Sequence, residues 1–156
     1  MAFCEYLKKY GYSHYEISNF SKEGYESKHN LVYWNNGTDY GFGIGASGYI
    51  NNIRYENTRN PKKYFEGNYV LEKEKIDLNR KLEDEFMLGF RKIEGINKRE
   101  FYQKYNIDVK DILIVRELLS KNMLIETKDS IFINPKYIYI SNEILEKFIN
   151  SDLLVH

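Results

Sequence analysis

Cysteine is nearly absent from this chain of 156 residues: Cys4 is the only one. That excludes an internal disulfide, and it excludes a four-cysteine zinc site or an iron–sulfur cluster held by the chain's own thiolates. Excess charge of either sign is absent too. The 23 Lys and Arg balance 23 Asp and Glu, whereas a protein that binds nucleic acid through phosphate contacts shows a basic surplus. Long apolar runs are missing: none approaches the ~20 residues that cross a bilayer. The opening MAFCEYLKKYGY has no apolar signal-peptide core. These absences lead to an expected cytoplasmic location and to no nucleic-acid partner. The length suits one domain, or a small domain joined to part of another, with a core that hides roughly two-thirds of the unfolded surface.

What is present divides near residue 67. Seven of the ten glycines, Trp34, His14 and His29 precede it. The charges split as 8 basic and 7 acidic before that point, then 15 and 16 after it, so neither half is a basic module. In the second half Asp77 is positioned to cap a helix in which Leu78, Leu82, Phe86, Phe90 and Ile93 recur at helical spacing, with Gly95 as its stop. Asn97 and Glu100 resemble a capping box, and Asp108 can cap a third helix striped by Ile112, Val115, Leu118 and Leu119. Met123–Ile125 and Ile131–Ile133 read as a short ribbon, and Ser141 opens a last helix. Helix, helix, helix, ribbon, helix is a winged-helix-like order. The first half reads as a helix over residues 3–10, a strand over Tyr15–Phe20 that ends in Ser21 as a loop start, a Gly-rich strand or strand end over Asp39–Ala46, and a further strand over Ile53–Asn57. That is too little regular structure to close a domain, so residues 1–66 read as a piece of something larger. The fold class expected is α+β, with 67–75 a linker and 76–156 a helical domain.

Three clusters could carry chemistry. His29-Asn30-Leu31-Val32-Tyr33-Trp34 brings an imidazole, an amide, a phenol and the only indole together. Neutral imidazole is a good iron ligand, and aromatic faces suit a planar macrocycle. The plainer alternative is a loop in which His29 makes one hydrogen bond and Trp34 anchors on the core. The Gly41–Gly48 run (GFGIGASG) allows close backbone approach to a ligand or to a neighbouring strand, but it is neither a dinucleotide fingerprint nor a P-loop. Glu16, Ser18 and Asn19 share the third cluster, with Glu16 and Ser18 on one face if the segment is a strand. His14 and His29 have no familiar metal spacing and no third ligand. A DNA-binding reading of the third helix is weak on charge, because Lys110, Arg116 and Lys121 are offset by Asp111 and Glu117.

The segments Gly11-Tyr12, Tyr15–Phe20 (YEISNF), His29–Trp34 (HNLVYW) and Gly43–Ala46 (GIGA) together resemble the radical SAM proteins related to oxygen-independent coproporphyrinogen III oxidase. The HNxxYW segment is similar to that of the haem chaperone (HemW-like) branch, and the tail from about residue 76 is similar to the family's C-terminal domain. The resemblance implies the terminal part of an incomplete (β/α) radical SAM barrel over residues 1–66, followed by the winged-helix-like domain. It implies haem as ligand, with His29 on the iron and Asn30, Tyr33 and Trp34 around it. It implies S-adenosylmethionine contacts at Ser21, Ala46 and Ser47; the branch often carries histidine in place of Ser47, so a contact there would come from the backbone. The cluster motif CxxxCxxC is not in this sequence, so the [4Fe–4S] cluster, and radical chemistry on S-adenosylmethionine, belong to a full-length parent. The partners implied are haem and a haem-acceptor protein at the membrane face, with self-association of the piece through exposed barrel edges. The runner-up is an oxygen-independent coproporphyrinogen III oxidase; a winged-helix DNA-binding regulator comes third.

Overall fold

The computed structural model describes residues 2–154, with the side chains of Ala2 and Tyr33 outside the described set. It is an α+β structure whose apolar core lies wholly in the second half. Every buried hydrophobic residue described, from Ile76 to Leu153, follows residue 75.

The core is built around α4 (Leu78–Gly89). Asp77 caps it by accepting from the Arg80 N–H at 2.8 Å, as its place before the apolar stripe predicts. Leu82 and Phe86 face inward, with Phe90 just past the helix end. The helix stops six residues before Gly95. The Arg91 and Lys92 amides turn back onto the carbonyls of Leu88 and Gly89 in tight i→i−3 bonds, which places Ile93 outside the helix. Gly95 lies instead in the following turn, at φ +72°, pressed against the backbone of Ile131 and Phe132.

Beyond the turn, β6 (Ile96–Asn97) pairs antiparallel with β8 (Ser130–Ile133), which also pairs with β7 (Leu124–Glu126). The ribbon expected from Met123 to Ile133 is thus a three-stranded sheet. Asn97 caps α5 (Lys98–Tyr105), accepting from the Arg99 and Glu100 amides at 3.0 and 3.1 Å. Asp108 caps only a 3₁₀ turn (Val109–Asp111), and α6 (Leu113–Ser120) starts after Ile112 without a side-chain cap. A 3₁₀ stretch, Pro135–Ile140, runs into α7 (Ser141–Leu145) and a final 3₁₀ turn, Glu146–Phe148. Phe86 is enclosed by the rings of Phe148, Phe101 and Phe90 at 4.6, 5.4 and 5.7 Å.

The first half has α1 (Ala2–Lys9), then two strands where one was expected. β1 (Tyr12–Glu16) and β2 (Asn19–Lys22) form an antiparallel hairpin that turns at Ile17–Ser18. The YEISNF alternation conceals this turn, because tertiary bonds create it. The Ile17 amide donates to the Arg91 carbonyl at 2.9 Å, and the Ile93 amide donates to the Tyr15 carbonyl at 3.2 Å. Residues 28–34 form α2 (Lys28–Trp34), not a loop. Asp39 bridges Tyr49, but the rest of the segment to Ala46 is irregular: Gly43 and Gly45 take positive φ, and a Cβ on Gly41 would meet the Ser47 backbone. Pairing begins at β3 (Ser47–Ile50), which joins β4 (Ile53–Asn57). After α3 (Pro61–Phe65), residues 70–75 are not a plain connector but β5 (Val70–Lys75), laid antiparallel on β4. All pairings between the described strands are antiparallel.

Candidate functional site

The helix α2 carries the sequence-predicted cluster. Ser27 starts it: its hydroxyl accepts from the Asn30 amide at 3.4 Å and its carbonyl from the Leu31 amide at 3.0 Å. Asn36 ends it in the left-handed region at φ +50°. His29 on the first turn is exposed and Asn30 is half-buried, so an external group can reach the imidazole. Trp34, on the last turn, is half-buried under the Arg91 guanidinium, 5.2 Å from its ring centroid. The side chain of Tyr33 lies outside the described residues.

Between the segment after α2, the β3–β4 pair and α4 is a cavity of about 350 Å³ lined by Asn36, Asp39, Ser47, Tyr49, Arg54 and Asp84 among others. Arg54 crosses from β4 to pair with Asp84 of α4 at 2.6 Å. Burial nevertheless lifts the Asp84 carboxyl above the ordinary aspartate range, with Arg54 and Arg80 only partly opposing it. Burial raises Asp39 likewise, against the pull of Arg54 and His29.

The three residues expected near S-adenosylmethionine are divided between two sheets. Ser21 is not a loop start: it sits inside β2, opposite Ser13, with its hydroxyl oxygen buried and without a hydrogen-bond partner. Ala46 and Ser47 lead into β3 of the other sheet, where the Ala46 carbonyl accepts from the Asn57 amide at 2.8 Å. The third cluster comes apart. Glu16 is buried in β1 while Ser18 is exposed in the turn, so the two do not share a face. His14 is structural, with Nε2 at 3.0 Å from the Ile17 carbonyl and its ring stacked on Phe20. Among the described residues no three His, Cys, Asp or Glu are gathered as metal ligands, and no helix is long and apolar enough to cross a membrane.

Sequence reasoning missed the polar junction where the second half grips the end of α2. Lys92 donates to Asn35 Oδ1 at 2.7 Å and Lys104 to the Asn35 carbonyl at 2.8 Å. Glu85 accepts from Lys104 at 2.9 Å and from the Tyr105 hydroxyl at 2.8 Å. Burial and the Glu85 carboxylate push the Tyr105 phenol well above its usual value. One signal was available: Glu85 stands three residues after Leu82, on the apolar stripe of α4, where an acid needs a partner.

An α+β chain of this kind, with its helical second half packed on the end of α2, has the fold of a solved enzyme. The solved coproporphyrinogen III oxidase HemN of Escherichia coli, a radical SAM enzyme, superimposes with a TM-score of 0.68 at 12% identity, over 96% of this chain and 39% of that one. Residues 76–136 match the HemN C-terminal domain. The haem chaperone HemW of Lactococcus lactis is 34% identical over 152 residues, and that of Bacillus subtilis 31% identical over 150. These stretches cover 94% and 92% of this chain. Residues 76–136 thus carry the HemN C-terminal domain, and the chain, similar to haem chaperones over nearly all of its own length, spans about 40% of the length of these relatives.

Proposed function

We propose that this chain is the haem-handling part of a haem chaperone, which holds haem through His29 and passes it to an acceptor protein at the cytoplasmic face of the membrane. The observation that carries the reading is an exposed imidazole on α2, a helix that also carries the indole, in a chain whose relatives are named haem chaperones. The residues present suit the cargo. A solvent-facing imidazole can bind ferric or ferrous iron, and Asn30, Tyr33 and Trp34 lie on the same helix. In this reading residues 1–66 complete a (β/α) radical SAM barrel, and residues 76–156 are a winged-helix-like cover. A [4Fe–4S] cluster would need thiolates beyond Cys4. Ser21, whose buried hydroxyl has no hydrogen-bond partner, and the backbone at Ala46 and Ser47 would meet S-adenosylmethionine.

The test is a haemin titration followed by absorbance. The chain is expected to develop a ligated Soret band that His29→Ala loses or shifts, with weaker binding. An identical band and midpoint in the two proteins would remove His29 from the role.

A further inference from the structure

The C-terminal end of α2 is held by cations that all come from the second half. Arg91 lies over Trp34, the buried Lys92 ammonium donates to the Asn35 side chain, and Lys104 donates to the Asn35 carbonyl. Lys104 is braced by Glu85, and Glu85 by the Tyr105 hydroxyl. The last carbonyls of a helix lack partners within it and carry partial negative charge, so ammonium groups are the matching cap. The first turn of α2, in contrast, is started by Ser27, whose hydroxyl accepts from the Asn30 amide. One end of the helix is thus fixed by the second half and the other, which carries His29, follows it.

The lever arm is short but sufficient. His29 stands six residues before Asn35, about 9 Å along the axis at 1.5 Å per residue, so a tilt of ~10° moves it by ~1.5 Å. Metal–ligand bonds tolerate departures of only about 0.2 Å. We propose that Lys92 and Lys104 are positioning residues for the His29 imidazole, so that the second half sets the helix axis on which haem iron is met. This inference rests on the haem-binding reading above.

The test uses the same haemin titration on Lys92→Met, on Lys104→Met combined with Glu85→Gln so that no carboxylate is stranded, and on Lys104→Arg. With the far-UV spectrum unchanged, both Met variants are expected to weaken haem binding about tenfold, the lower range for losing a group that orients a metal ligand. Their Soret band should move toward that of His29→Ala, and Lys104→Arg should restore both band and midpoint. Wild-type band and midpoint in the folded Met variants would overturn the proposal. Lys104 is half-exposed, so its variant decides the matter if Lys92→Met fails to fold. Should His29→Ala itself titrate like wild type, the haem-binding reading falls and takes this inference with it. If only the lysine variants do so, the inference alone falls.

Discussion

Phe86→Ala is the most severe single truncation that the fold predicts. The ring is fully buried, and three other phenylalanines pack around it, the nearest at 4.6 Å. Emptying such a site costs about 3–5 kcal/mol, and each ring pair lost adds about 0.5–1.5 kcal/mol beyond area, which places this variant near the top of that range, at ~4–5 kcal/mol. A domain's whole stability is roughly 5–15 kcal/mol, so most of the margin goes. With a urea slope of ~2 kcal/mol per molar for a unit of this size, the midpoint drops by about 2 M, or the folded baseline disappears. Urea unfolding followed by far-UV circular dichroism reads this directly. Phe42→Ala is the control: that ring is 86% exposed, and its loss should change stability by no more than ~0.5 kcal/mol. A loss below about 1 kcal/mol for Phe86→Ala, when a buried Phe→Ala ordinarily costs several, would refute the claim that these four rings are the centre of the core.

Two further measurements probe the Gly95 turn and the Arg54–Asp84 pair. Gly95→Ala must place a Cβ 2.1 Å from the Ile131 carbonyl oxygen at φ +72°, and backbone cannot rotate away; a loss above ~2 kcal/mol is expected, against ~1 kcal/mol for Gly11→Ala, which has a similar φ but open space. Equal melting temperatures for the two variants would contradict this. Asp84 should titrate above 3.8, because burial outweighs its ion pair with Arg54. The folded state then binds this proton more readily than the unfolded one, so the contribution of Asp84 to stability falls as pH rises from the unfolded value through the raised folded one. Carboxyl chemical shifts followed with pH give the midpoint; a value below 3.8 would mean that Arg54 wins.

Local chemistry was legible wherever it decides structure alone. Asp77 and Asn97 cap the helices that their positions predict, and the apolar stripe of α4 is the core stripe. Tertiary bonding decided the rest. YEISNF alternates like a strand, yet the bonds of Ile17 and Tyr15 to residues 91 and 93 fold it into a hairpin. Asp108 has the chemistry of a helix cap but caps a 3₁₀ turn, and α6 starts later. The HNLVYW segment was visible as a chemical cluster, though not as a helix. Its polar grip was invisible because Lys92 and Lys104 reach Asn35 across 57 and 69 residues of chain, and no periodicity encodes a contact of that range.

The outer edge of β5 has no strand partner among the described residues, and Val70–Lys75 is exposed throughout. A bare edge of that length could template fibril growth. Its last four positions alternate Glu72, Lys73, Glu74 and Lys75. Stacking identical copies in parallel register would set acid on acid and base on base at each rung, and like charges facing one another across strands repel. The rim of this small sheet therefore carries its own guard against amyloid.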